Sequence, residues 1–219
     1  MAEATLLITS RNYSSWSLRG FLLCRLSGLP FATETISPDD PVAREELLLR
    51  SSSIRYPCLV HDGVRVWDVL AIAEYLNEIL PAAGMLPEQR HARALCRAIS
   101  GEMHSGFAAL RSSLPMNLKV RRAGFPIWSA PRADIAAIEA IWRDCLDRHG
   151  GPWLFGARPS IADAMYAPVA TRFRTYDVRL AEAPEAYARH VLAWPDLVEW
   201  AEAARREPEE EIAELEIDF

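Results

Sequence analysis

At 219 residues, half of them apolar and a quarter charged, the chain has enough material for a substantial buried core and is neither disordered nor fibrous in composition. Its formal net charge of −6 is concentrated at one end: the last thirteen residues, EPEEEIAELEIDF, hold seven acids and no base. The body is therefore close to neutral and offers no basic field for a nucleic-acid partner, while the acidic run over 207–219 reads as a solvated end.

Residues 5–9 form a buried strand by pattern, and a helix is expected from about 16 to 27, with Leu18, Phe21, Leu22 and Leu26 apolar. Gly28 and Pro30 punctuate its end. Phe31–Ile36 reads as a second strand, and a helix is expected over 42–50 after the break at 38–41. Cys58–Val60 and Val64–Trp67 are short β-type runs joined by Asp62-Gly63, a hairpin signal because glycine accepts the positive φ of a tight turn. Asp68 then stands before a helical face of Val69, Leu70, Ile72, Ala73, Leu76, Ile79 and Leu80. A helical crossover joins parallel strands and a tight turn joins antiparallel ones, so this order predicts a small mixed four-stranded sheet with helices packed on it, over 1–80. Residues 81–87 read as a linker. Helix-like stretches follow at about 88–114, 131–148, 161–174, 184–193 and 195–206, so 88–206 is expected to be all-α.

The chemistry-bearing residues are few. Cysteines at 24, 58, 96 and 145 form no C-x-x-C or zinc spacing, and the five histidines show no metal pattern, so no metal is expected. No basic segment followed by an apolar run opens the chain, and no stretch approaches transmembrane length; a reducing, cytoplasmic setting without membrane contact is expected. NYSSWSLR (12–19) places Ser14, Ser15 and Ser17 where the first strand gives way to a helix. Such hydroxyls cap the unpaired N–H groups of a first turn, and the same groups with the helix dipole stabilise an anion. Pro57, before a strand, fits either a strand-initial proline or a cis bond that leaves the Tyr56 backbone open to an extended peptide. Asp68-Val69 reads as a cap that also offers N–H groups to a carboxylate. Ser160 and Asp163 have capping-box spacing and a structural role.

In their order and spacing, SSWSLR, RYPCLVHDG, VWDVLAIAEYLNEILP and WLFGARPSIADAMYAPV resemble the cytosolic glutathione transferase family, with SSWSLR similar to its zeta-class motif. The resemblance covers nearly the whole chain. It implies a thioredoxin-like, glutathione-binding α/β domain followed by an all-α domain that supplies much of the second-substrate pocket. It also implies Ser14 as the hydroxyl that binds the thiolate, with Ser15 next in line. The backbone of Tyr56 before a cis Pro57 would pair with the cysteinyl part of glutathione, and Asp68 and Val69 would hold its γ-glutamyl end. Valine stands at 69 where the family usually has serine or threonine; a lost hydrogen bond to a charged group costs about 1.5–3 kcal/mol. Tryptophan stands at 16 where the zeta motif has cysteine, which does not support zeta-type isomerisation.

The implied activity is a glutathione transferase: the thiol is activated as a thiolate for attack on a small electrophilic or hydrophobic second substrate. Met103, Phe107 and Met116 are candidates for the wall of that substrate's pocket. A homodimer is implied as well. The alternative is a non-catalytic carrier or interaction module of the same fold, which Val69 and the acidic run favour. Disulfide-type chemistry ranks last, because residues 14–17 contain no cysteine.

Overall fold

Alternation along the first strand sets the layout. The structure is a computed structural model that describes residues 4–36 and 55–208; the helix expected over 42–50 and most of the acidic run lie outside the described residues. In β1 (Ala4–Ile8), pleating sends Ala4, Leu6 and Ile8 into the main core and Leu7 to the opposite face, where it meets Cys58, Tyr56 and Trp67. The sheet has the order β2-β1-β3-β4. β1 runs parallel to β2 (Phe31–Thr35) and antiparallel to β3 (Cys58–His61), and β3 pairs antiparallel with β4 (Val64–Trp67). The crossover is α1 (Ser15–Ser27), ended by Gly28 at φ 74°. The tight connection is Asp62-Gly63, with φ of 49° and 76°.

α1 packs against α2 (Val69–Ile79) and against the buried helix α6 (Ile161–Thr175). It is covered on most sides, which explains why Ser15, Ser17 and Arg19 are buried alongside Leu18, Leu22 and Leu23. Gly20 is where α1 comes nearest the strand-entry segment: a Cβ there would lie 2.7 Å from Pro57 Cγ and 2.9 Å from its Cβ. Gly20→Ala should therefore lower the unfolding free energy by about 1–3 kcal/mol through overpacking, less the helix propensity it gains. A thermal melt checks this, and an unchanged or raised Tm contradicts it.

Beyond Leu80 the described elements are helices. A 3-10 turn (Pro81–Ala83) leads to α3 (Arg90–Ser105), α4 (Ala108–Ser113), α5 (Ser129–His149), α6, α7 (Glu182–Leu192) and α8 (Pro195–Arg206). The single helix expected over 88–114 is two. Gly106 leaves the helical region, where a Cβ would meet Glu102 O at 2.7 Å, and Phe107 takes a left-handed φ of 56°. The capping box at the start of α6 is present. Its acid does more than cap: Asp163, fully buried, accepts from Ser160 N and Oγ (2.8 Å each), Leu154 N (3.1 Å) and Tyr187 OH (3.0 Å). Burial raises this carboxyl above its ordinary range, and the four donors oppose the shift. One continuous apolar core joins the sheet side to the helical half. Among the described residues no helix is long and apolar enough to cross a membrane.

Candidate active site

The chain enters α1 through Ser14, whose backbone is extended (φ −81°, ψ 99°). Its Oγ accepts from Ser17 N at 3.2 Å, so the hydroxyl caps as expected while its own hydrogen is not used in that bond. Ser14 is half-buried. Ser15 is fully buried, and its Oγ accepts from Arg19 Nη1 at 3.0 Å. Ser17 is buried and structural: Thr9 N donates to its Oγ at 3.1 Å, tying the end of β1 to the helix. No acid stands in the first turn of α1, so the positive end of its dipole is not neutralised from within the helix.

A cleft of about 550 Å³ lies beside this turn. Tyr56, Pro57, Asp68 and Val69 line one side, and the Tyr56–Pro57 bond is cis. Trp16, His104 and Arg111 supply the helical side. Ser14 and Ser15 do not themselves line the cleft; the first turn of α1 reaches it through Trp16. Four of the six residues singled out in the sequence thus meet there, although Tyr56 and Asp68 come from different ends of the hairpin.

Asp68 adopts a left-handed φ of 75°, unusual for a residue with a side chain. That backbone turn lets one oxygen cap α2, with Leu70 N donating at 2.8 Å. The other oxygen accepts from His104 Nε2, across from α3, at 2.6 Å. Val69 is buried, with its side chain in the main core; its N–H is at the first helical position, which has no acceptor within the helix.

Arginines flank the helical side of the cleft. The guanidinium groups of Arg19 and Arg111 lie 4.5 and 5.4 Å from the Trp16 ring centroid, and His104 stacks against the same ring at 5.1 Å. Trp16 is therefore a cleft wall. The residues expected to form that wall are not there: Met103, Phe107 and Met116 are buried in the core. Met103 and His104 are neighbours on α3, about 100° apart around its axis, so one faces the core and the other the cleft. His104 and Arg111 had no sequence signal, because each is identified only by what folds opposite it.

The cysteines are poor nucleophiles. All four are buried, and desolvation pushes the Cys96 thiol to about 11 and the Cys145 thiol to about 12. Among the described residues no group of three or more His, Cys, Asp or Glu side chains is placed to hold a metal ion. A thiolate used at this site would have to come from a ligand.

Both halves of the chain match known proteins. Residues 13–79 match the family model for the glutathione S-transferase N-terminal domain, and residues 126–203 match that for the C-terminal domain. A maleylacetoacetate isomerase from Rhizobium meliloti is 31% identical over 149 residues, 64% of this chain and 67% of that one. The rat maleylacetoacetate isomerase is 27% identical over 177 residues, 80% of each chain. A solved glutathione transferase homolog from Burkholderia, with bound glutathione, superposes with a TM-score of 0.70 at 25% identity, over 94% of this chain and all of that one. A thioredoxin-like sheet domain, an all-helical second half and two matched halves of one family give a single conclusion: the chain belongs to the glutathione S-transferase family.

Proposed function

We propose that the protein binds glutathione in the Tyr56–Asp68 cleft and directs its sulfur, as a thiolate, at a small electrophilic second substrate. One observation carries this reading. The first turn of α1, the cis Tyr56–Pro57 segment and the Asp68-Val69 helix start meet at one cleft with arginines on its helical side. Glutathione supplies the sulfur nucleophile when bound, and the protein's residues hold and orient it.

In this reading the Tyr56 backbone pairs with the extended peptide, Asp68 receives the γ-glutamyl ammonium group, and the Val69 N–H meets its carboxylate. Ser14 donates its hydroxyl hydrogen to the sulfur, next to the amides of the first turn. Lowering a thiol pKa by two units requires about 2.7 kcal/mol. A charge-assisted hydrogen bond contributes about 1.5–3 kcal/mol and a helix N-terminus about 0.3–1 kcal/mol, so the two together are of sufficient size. Toward the sulfur the serine acts as a donor and needs no base. Burial of Ser15 against Arg19 favours Ser14 for this role. The relatives named maleylacetoacetate isomerases support a small substrate with a conjugated carbon–carbon double bond, although Trp16 stands where the zeta motif has cysteine. The family resemblance also supports a homodimer.

The test is the ultraviolet absorbance of bound glutathione, measured against pH, together with turnover of an activated aryl halide. A thiolate band at neutral pH and conjugate formation support the reading. Binding without a band would favour the carrier alternative.

Val69 makes a separate prediction. Val69→Ser restores a hydroxyl beside the γ-glutamyl carboxylate and should tighten glutathione binding about tenfold, equivalent to roughly 1.4 kcal/mol. It should also cost about 1–2 kcal/mol in stability, because the valine side chain is buried. Calorimetric titration of both proteins checks it; equal or weaker binding by the variant removes Val69 from the ligand's surroundings.

A further inference from the structure

The loop that delivers Ser14 to the head of α1 is closed by a carboxylate from the other end of the chain. Arg11 N donates to Glu207 Oε1 at 2.7 Å, and Asn12 N and Ser10 Oγ donate to Oε2 at 3.0 Å each. Ser10 passes this order forward. Its Oγ also accepts from Asn12 N (3.1 Å) and Tyr13 N (3.3 Å), and its carbonyl accepts from Ser14 N (3.1 Å). Glu207 thus stands two hydrogen bonds from the Ser14 backbone.

Glu207 is itself held from several directions. It follows α8 directly, its side chain is only 17% exposed, and the Arg11 guanidinium lies 3.7 Å from its carboxylate. Lys119 Nζ donates to its carbonyl at 2.6 Å. Trp200 Nε1, about two turns earlier on α8, donates to Arg11 O at 2.9 Å. Asn12 Oδ1 accepts from Leu118 N and Lys119 N, at 2.7 and 3.1 Å, so the same loop is also pinned to the segment bearing Lys119. Charge counting places Glu207 in a solvated acidic end; the structure places it under the catalytic loop.

We propose that Glu207 is a positioning residue for the thiolate site: its carboxylate holds residues 10–13 so that the Ser14 hydroxyl and the first-turn amides of α1 aim together at the sulfur. The proposal rests on the transferase reading above. A carboxylate is needed because the groups it meets are all donors. Glutamine at 207 would keep one accepting oxygen and turn an NH₂ group against an N–H or O–H, so a variant of nearly the same size breaks the arrangement.

The experiment compares wild type with Glu207→Gln, and with Glu199→Gln as a control: Glu199 lies on the preceding helix, α8, and its partner is Arg25. Expected for Glu207→Gln are a rise of about one unit in the pKa of bound glutathione, read by thiolate absorbance, and about a tenfold loss in kcat. The KM for glutathione should change less than about twofold, because Tyr56 and Asp68 are untouched. Amide hydrogen exchange at Arg11 and Asn12 should quicken. Glu199→Gln should match wild type in all four readouts. If Glu207→Gln does not fold, Ser10→Ala removes the relay and should shift the thiol pKa in the same direction by a smaller amount. A wild-type thiolate band that these changes leave in place overturns the proposal and spares the transferase reading. Absence of the band from wild type overturns both.

Discussion

Ser14→Ala is expected to remove most of the thiolate band of bound glutathione at neutral pH and to lower kcat by about 10²–10³, the usual cost of deleting one donor to a developing or stabilised anion. Two effects have to be separated. The hydroxyl oxygen caps Ser17 N, so its loss also weakens α1 by about 1 kcal/mol. On the proposed reading, the missing O–H should raise the pKa of the bound thiol. Titration of the thiolate absorbance isolates the second effect, because a frayed helix that still bound glutathione would change amplitude more than midpoint. Activity in Ser14→Ala should recover partly at high pH, where the thiol ionises unaided. Ser15→Ala provides the contrast. It deprives buried Arg19 of an acceptor, so its main effect should be on the melting temperature. Full activity in Ser14→Ala at neutral pH would remove this residue from the chemistry.

Asp163→Asn is expected to produce the largest loss of stability, about 3–5 kcal/mol, or a fall in Tm of roughly 10 °C for a chain of this length. The carboxylate is wholly buried and meets four donors: two amides and two hydroxyls. An amide side chain offers one oxygen and sets its NH₂ against donors. The effect should be cooperative. Asp163 links the start of α6 to the 154 loop and to α7, and α6 supplies the Met165 carbonyl that receives Arg19 Nε of α1 at 2.8 Å. Damage at Asp163 should therefore also loosen the helix that presents Ser14. Denaturant unfolding measures it, and a change below about 1 kcal/mol would show that the buried network is not what fixes the start of α6 against the 154 loop and α7.

Much of the fold was legible because local chemistry and global arrangement agree. Gly28 ends α1 in the left-handed region that its lack of a side chain permits, and Asp62-Gly63 turns the hairpin with two positive φ values. The apolar face from Val69 to Leu76 is the buried face of α2. Ser14 as cap and the Pro57 segment were visible for the same reason, since each leaves a mark within a few residues. The missed features are long-range. His104 lies 36 positions from the carboxylate it meets, and nothing local to either residue indicates the pair. Met103 suits a cleft wall by its apolar side chain, but hydrophobicity cannot distinguish a core-facing from a cleft-facing position one step along a helix, and His104 is the one that lines the cleft. Glu207 was grouped with the acids after it by composition, whereas its partners are backbone amides nearly a full chain length away.

The central claim is geometric: glutathione lies along Tyr56 with its γ-glutamyl end at Asp68-Val69 and its sulfur at Ser14. A crystal structure of the protein with glutathione tests it most directly. The account predicts the sulfur within about 3.5 Å of Ser14 Oγ, as a hydrogen bond to a thiolate requires, and the cysteinyl backbone paired with that of Tyr56. Glutathione bound with its sulfur directed away from the first turn of α1, or excluded from the cleft by the Asp68–His104 contact, would contradict it.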